Sequence, residues 1–325
     1  MVFTQSTTHC WVGNLPTRML ARFEAPDAGG LSRRPRIRIP TLSTDHVREA
    51  RIFVQPPERI FTRPDGVVWA EYYIVNQRAC IRFPGLAEFY ISLDHSSVDA
   101  VPLVGTSPAS LHQLWQGLVL PVLYAARGNT VLHGSAIKIG ARTACFLGRS
   151  GMGKSTIASS FAIAGYPFLT DDGLILERVD GHGYVVHPSN AAVRLWRDSE
   201  YAVLPKHIEV APAVQFTTKS RFVAGDELPH CDKISELSVI YVLARDGASE
   251  PIITPLKANE AMMEFTKNSF ILDVRAESAL RGHFDRMATL ACEVRCFRLD
   301  YPRDYDQLPM VRQAVLNHQQ TLSSI

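Results

Sequence analysis

Cysteine is scarce and scattered. Six residues (Cys10, Cys80, Cys145, Cys231, Cys292 and Cys296) are spread over 325 positions with no CxxC pair. That spacing excludes a disulfide scaffold and a zinc ribbon, and it fits a reducing compartment. Charge of one sign is missing as well. The 34 Lys and Arg stand against 32 Asp and Glu, a formal net charge of +2. This is too balanced for a protein that lives on nucleic acid through a general phosphate-binding surface. Long apolar runs are absent. The longest, from Leu114 to Ala126, is broken by Gln116, Gly117 and Pro121, and it falls short of the roughly 20 residues that span a bilayer. The first residues carry no basic start followed by an apolar run, so no leader is expected. No internal repeat and no low-complexity tract occurs. A soluble, cytoplasmic protein with no membrane or nucleic-acid partner is the expectation.

What is present is a globular composition, 46% apolar and 20% charged, over a length that suits one large or two ordinary domains and can bury a large core. Residues 1–105 read as a strand-rich N-terminal domain. Short apolar or alternating runs at 36–39, 51–54, 67–75, 79–83 and 88–93 are separated by Pro, Gly and Asp turns. The basic run Arg33-Arg34-Pro35-Arg36 reads as a solvated loop. Residues 106–129 read as a bridging helix. Ser107 caps it, Pro108 suits its first turn, and Leu111, Leu114, Trp115, Leu118, Val119 and Val122 recur at helical spacing. Pro121 should kink it.

Residues 130–325 read as an α/β domain. Strands at 131–140 and 141–148 are followed by a Gly-rich turn, a helix at 154–164 and a strand at 166–170, the arrangement of a nucleotide-binding core. Later strands are expected at 183–187, 192–196, 237–243 and 294–299. Later helices are expected at 258–269, 277–292 and 305–318.

Gly148-Arg149-Ser150-Gly151-Met152-Gly153-Lys154-Ser155 matches G-x-x-x-x-G-K-[ST] at every fixed position, between an apolar strand and a helix that begins with Thr156. The glycines let backbone N–H groups turn inward around a polyphosphate, and the helix N-terminus adds partial positive charge. Lys154 is placed to reach the β- and γ-phosphates, and the Ser155 hydroxyl to ligate Mg²⁺. Asp171-Asp172 ends the strand after the helix, where ligands bind in α/β sheets. One carboxylate can hold Mg²⁺ and the other can take a proton from an attacking hydroxyl; a solvated Asp-Asp-Gly turn is the other reading of the same residues. His133, alone in its strand, reads from pattern as a structural residue.

Three segments in this order resemble the catalytic domain of the HPr kinase/phosphorylase family: Leu132-His133-Gly134-Ser135, the loop from Gly148 to Thr156, and Gly165 to Asp172. The resemblance covers about residues 125–180. It implies a P-loop core related to the phosphoenolpyruvate carboxykinases, with a strand-rich N-terminal region unlike that of the bifunctional HPr enzymes. Pro188, Arg194-Leu195-Trp196 and Leu299 to Asp304 look like the HPr-kinase-like proteins of peptide-biosynthesis clusters, among which the lasso-peptide kinases phosphorylate a precursor peptide's C-terminal serine. By resemblance His133 lies beside the γ-phosphate, Asp171 is the general base and Asp172 lies near the metal. Where the bifunctional family has an acidic residue after the P-loop serine this chain has Thr156, which implies a monofunctional kinase with another acceptor. The family's ring oligomers would imply self-association.

The expected activity is therefore transfer of phosphate from ATP, with Mg²⁺, to a serine of a peptide or protein. A nucleotide-binding regulator and a kinase of a small-molecule alcohol are the alternatives. Other polar residues receive plainer readings. Lys219 and Arg221 read as a solvated strand edge. Arg303 reads as a partner of Asp300 or Asp304. Arg194, between Val193 and Leu195, faces away from them, toward either an ion pair or the nucleotide. His230-Cys231-Asp232 cannot all turn to one metal, and no zinc site is expected.

Overall fold

In the computed structural model, residues 41–44, 53, 55–63, 65–245, 247–270 and 277–323 are described. The strands expected at 36–39 and 51–54 and the basic loop at 33–36 lie outside them, Phe53 apart.

The first sheet has six strands: β1 (Thr41–Thr44), β2 (Arg59–Thr62), β3 (Val68–Val75), β4 (Arg78–Phe83), β5 (Ala87–Ile91) and β6 (Ser97–Pro102). Their order is β1-β6-β5-β4-β3-β2. From β2 to β6 it is an antiparallel meander, and β1 adds parallel to β6. Period-2 alternation sends Ala87, Phe89 and Ile91 of β5 to one face, where they meet Ile81, Phe83, Val98 and Ala100.

That face is covered by a helical segment that the sequence read as one kinked helix. It is α1 (Pro108–Leu114), a π-turn (Trp115–Val119) and α2 (Leu120–Ala126). Ser107 caps α1 by accepting from the Ser110 N–H. The kink expected at Pro121 takes the form of the π-turn. Proline has no N–H to offer the Gly117 carbonyl, and just before it the Leu120 N–H reaches back five residues to Trp115. Leu114, Trp115, Val119 and Leu123 pack onto the sheet.

The second sheet has seven strands: β7 (Thr130–Ile139), β8 (Arg142–Leu147), β9 (Phe168–Val179), β10 (Gly183–His187), β13 (Ser235–Leu243), β14 (Ile252–Pro255) and β15 (Cys296–Asp300). Their order is β10-β9-β7-β8-β13-β15-β14, and β10 pairs again with β13. Two more strands, β11 (Ala192–Leu195) and β12 (Ser220–Val223), form a separate antiparallel pair. The helices are α3 (Lys154–Ile163), α4 (Arg197–Val203), α5 (Ala258–Lys267), α6 (Glu277–Glu293) and α7 (Leu308–Ser323). Both faces of the sheet are buried, which explains why β8 reads as a continuous apolar run. Its Ala144 and Phe146 meet Ile157 and Phe161 of α3 and Val311 and Val315 of α7. Its Cys145 and Leu147 share a core with Phe265 of α5 and Leu290 of α6. Among the described residues no helix is long and apolar enough to cross a membrane.

Two sequence expectations need correction here. The strand expected to stop at 170 runs on to Val179, so Asp171 and Asp172 lie within β9, paired against β7. A ladder from Thr130 to Ile137 overrides the turn preference of Asp-Asp-Gly. The helix expected from 305 begins as a 3-10 turn (Tyr305–Gln307) before α7.

Candidate functional site

A cavity of about 300 Å³ opens where the loop after β8, the middle of β9, the antiparallel pair β11–β12 and the segment after β15 converge. The loop is shaped by its last glycine. Gly153 caps α3 with a φ of 89°, and a Cβ there would lie 2.5 Å from the Tyr301 hydroxyl. Only glycine fits on both counts. Tyr301 in turn donates to the Met152 carbonyl at 3.3 Å, and Arg303 Nη1 donates to the same oxygen at 2.7 Å. The Arg303 guanidinium also reaches the Ala244 carbonyl and stacks on the Tyr301 ring at 4.0 Å. Arg303 therefore braces the loop, and the expected pairing with Asp300 or Asp304 is not the contact it makes.

Ser150, Gly151, Gly153, Lys154, Ser155 and Thr156 line the cavity. Gly148 is buried beneath it, Met152 packs partly into the core, and Arg149 is exposed. Lys154 is buried, and its Nζ donates to the carbonyls of Gly148 at 2.6 Å and Arg149 at 3.1 Å. Burial, opposed by Asp171 and aided by Lys219, pushes its ammonium down to about 8. Thr156 donates to Ser199 of α4 at 3.1 Å, and Ser199 shares a hydrogen bond with Tyr305.

Asp171 is buried among donors. Its Oδ1 accepts from Ser135 Oγ at 2.7 Å and its Oδ2 accepts from the Arg194 backbone N–H at 3.0 Å, while Ser155, in the first turn of α3, lines the same cavity. Burial, then the Asp172 charge, still lift its carboxyl above the usual range against those bonds. Asp172 is ion-paired with the Arg194 guanidinium, one of the two readings the sequence left open, and Arg194 also lines the cavity. The Asp172 backbone φ is 155°, in a region that residues other than glycine rarely adopt and that tends to occur at functional sites. The π-turn closes in from the far side: a Cβ on Gly117 would come within 3.4 Å of Asp172 Oδ2.

His133 also lines the cavity. Burial and the cations of Lys154, Arg194 and Lys219 outweigh Asp172 and push its imidazole down to about 4. The ring is neutral at pH 7, and its edge meets Phe270 at 6.3 Å between centroids.

One lining residue was read otherwise in the sequence. Lys219 is not a solvated edge. It lines the cavity with its Nζ 5.2 Å from the Trp196 ring. The signal was the alternation of β11 and β12, but the pairing that gives it meaning joins strands about 25 residues apart. His230, set aside as a ligand, bonds the Leu169 carbonyl and packs on Phe168.

A divalent cation fits the donor set. The Ser155 hydroxyl and the Asp carboxylates are hard oxygen ligands lining one cavity, the donor type Mg²⁺ takes as one or two carboxylates together with substrate phosphates.

No family model and no curated protein matches the chain. Among solved structures it is similar to the Hpr(Ser) kinase/phosphatase from Coxiella burnetii, at 11% identity and a TM-score of 0.34, over 59% of this chain and 98% of that one. At that identity and score the site's own geometry has to carry the function.

Proposed function

We propose that the protein is an ATP- and Mg²⁺-dependent kinase that phosphorylates a hydroxyl, most simply the serine of a peptide or protein. The observation that carries this reading is Asp171: a buried carboxylate that lines the same cavity as Lys154 and Ser155, the last two residues of the phosphate-binding motif. Nucleotide binding alone does not call for a proton acceptor at that place.

In this reading the loop amides and Lys154 bind the polyphosphate. Ser155 and Asp172 hold Mg²⁺, which neutralises phosphate charge when bound. Asp171 orients the acceptor hydroxyl and takes its proton. The serine oxygen forms a bond to the γ-phosphorus, the bond to the β,γ-bridging oxygen breaks, and ADP leaves with that electron pair. Most of the acceleration comes from positioning and charge neutralisation. Neutral His133 offers a hydrogen bond without adding charge. The resemblance to lasso-peptide kinases nominates a peptide's C-terminal serine as the acceptor.

The test is intact-mass analysis of C-terminal-serine peptides incubated with the protein, ATP and Mg²⁺, with Lys154→Ala as control. A gain of about 80 Da, one phosphoryl group, that is absent with the variant is the expected result. ATP binding without any phosphorylated peptide would count against the peptide acceptor. Small alcohols would then be tried, and a nucleotide-binding regulator would stand if those also failed.

A further inference from the structure

The antiparallel pair of β11 and β12 has two unlike faces. Val193, Leu195 and Phe222 are buried in the core beside α3. Alternation turns Arg194, Trp196, Lys219 and Arg221 the other way. Arg194 lies directly across from Arg221, and Leu195 across from Ser220, so the next pair outward is Trp196 with Lys219. Like charges directly opposite repel, so three cations on one small face need a counter-charge. Asp172 supplies one to Arg194. Arg221 reaches Asn190, a neutral partner, at 3.5 Å, and its buried Nε has no partner.

Lys219 stands out. Among the described residues no carboxylate lies within ion-pair distance of its ammonium, which rests instead on the Trp196 face. Burial is the largest influence on it and disfavours its charge, Asp171 favours the charge, and Arg194 opposes it. Among the lining residues, the charged neighbours of Lys219 are Lys154 and Arg194 on one side of the balance and Asp171 and Asp172 on the other, so that with Lys219 the group carries an excess of one positive charge in a partly desolvated place. Such an excess is stable when an anion fills it. Lys219 belongs to the same electrostatic neighbourhood as Asp171, His133 and Lys154, whereas Arg303 and Tyr301 bond the Met152 carbonyl of the loop.

We infer that Lys219 contacts the γ-phosphate of the bound nucleotide, with Trp196 as the platform that holds its ammonium in place. The inference rests on the kinase reading and sharpens it, because it makes one cation answer to the terminal phosphate alone. A flexible lysine on an aromatic face keeps its charge at the site and can still follow the phosphate.

The experiment is calorimetric titration of the full chain with Mg²⁺-ATP and, separately, Mg²⁺-ADP, for wild type, Lys219→Met and Lys219→Arg. Thermal melts of each variant check that it is folded. Lys219→Met is expected to weaken ATP binding by about tenfold to a hundredfold, the range of one hydrogen bond to a charged group. ADP binding should change by less than about threefold, and Lys219→Arg should restore most of the ATP affinity. Equal losses for ATP and ADP, or no loss for either, would overturn the role of Lys219 and leave the kinase reading standing. Failure of wild type to bind either nucleotide would overturn both. Should Lys219→Met not fold, Trp196→Leu reads the same difference, and an unchanged preference for ATP over ADP in it would remove the platform.

Discussion

Ser135 and Asp171 are register partners on neighbouring antiparallel strands, and the serine hydroxyl donates to the carboxylate at 2.7 Å. The pairing holds the proposed base by one oxygen while the Arg194 N–H holds the other. Ser135→Ala should therefore slow phosphoryl transfer by roughly tenfold while leaving ATP affinity unchanged, since one hydrogen bond to a charged group is lost from a residue that does not touch the nucleotide. Asp171→Asn should remove transfer by two to four orders of magnitude, the usual contribution of a positioned base. Steady-state rates beside nucleotide titrations check both. An Asp171→Asn protein with wild-type rates would sink the assignment of the base.

Gly153 is under two constraints, a φ of 89° and a Tyr301 hydroxyl 2.5 Å from where a Cβ would be. Gly153→Ala should destabilise the protein by more than about 1 kcal/mol. Pairing it with Tyr301→Phe should recover only part of the loss, because removing the hydroxyl relieves the contact and not the backbone conformation. Chemical denaturation of the single and double variants separates the two contributions.

Arg303 binds two backbone carbonyls, of Met152 in the loop and Ala244 just past β13. Arg303→Ala should loosen the loop and weaken ATP and ADP alike, by roughly tenfold. Arg303→Lys should not rescue it, because an ammonium lacks the fork that spans two oxygens. This shared effect on both nucleotides is the opposite of the pattern expected at Lys219.

Acid should unfold the protein through its histidines. The His133 imidazole is held down to about 4, against 6.5 for the free group. The unfolded chain therefore binds a proton that the folded chain refuses, and stability falls as pH drops from about 6.5 toward 4, by at most about 1.4 kcal/mol per pH unit for each such group. His95, His112, His230, His283 and His318 are shifted down as well, with burial the largest cause in each. Melting temperatures across this window should decline steadily, and His133→Asn should flatten the decline. A melting curve indifferent to pH between 6.5 and 4 would contradict the neutral ring held in the cavity wall.

The phosphate loop was legible because its chemistry is local: eight consecutive residues at fixed spacing, flanked by a strand and a helix. The Asp pair was legible as a pair but not in its setting. Asp-Asp-Gly favours a turn when read alone, and only the ladder with β7 keeps it extended. Arg303 was read toward its sequence neighbours Asp300 and Asp304, yet the backbone carbonyls it bonds lie 59 and 151 residues away. Lys219 needed the pairing of β11 with β12, which no local pattern announces. The helix over 106–129 was legible from its apolar period, and Pro121 marked the right place for an irregularity without saying that it would be a π-turn.

The second pairing of β10 with β13 joins five strands, β10, β9, β7, β8 and β13, into a hoop of hydrogen bonds. The strand that feeds the phosphate loop and the strand that carries Asp171 are both staves of that hoop, with β7 between them. Their spacing is fixed like the gauge of a track. Widening it means breaking ladder bonds on a closed circuit rather than peeling one edge away. Compliance at the site is thereby left to the parts outside the hoop: the β11–β12 pair with Lys219 beside it, and the segment after β15 with Arg303. Both parts line the cavity.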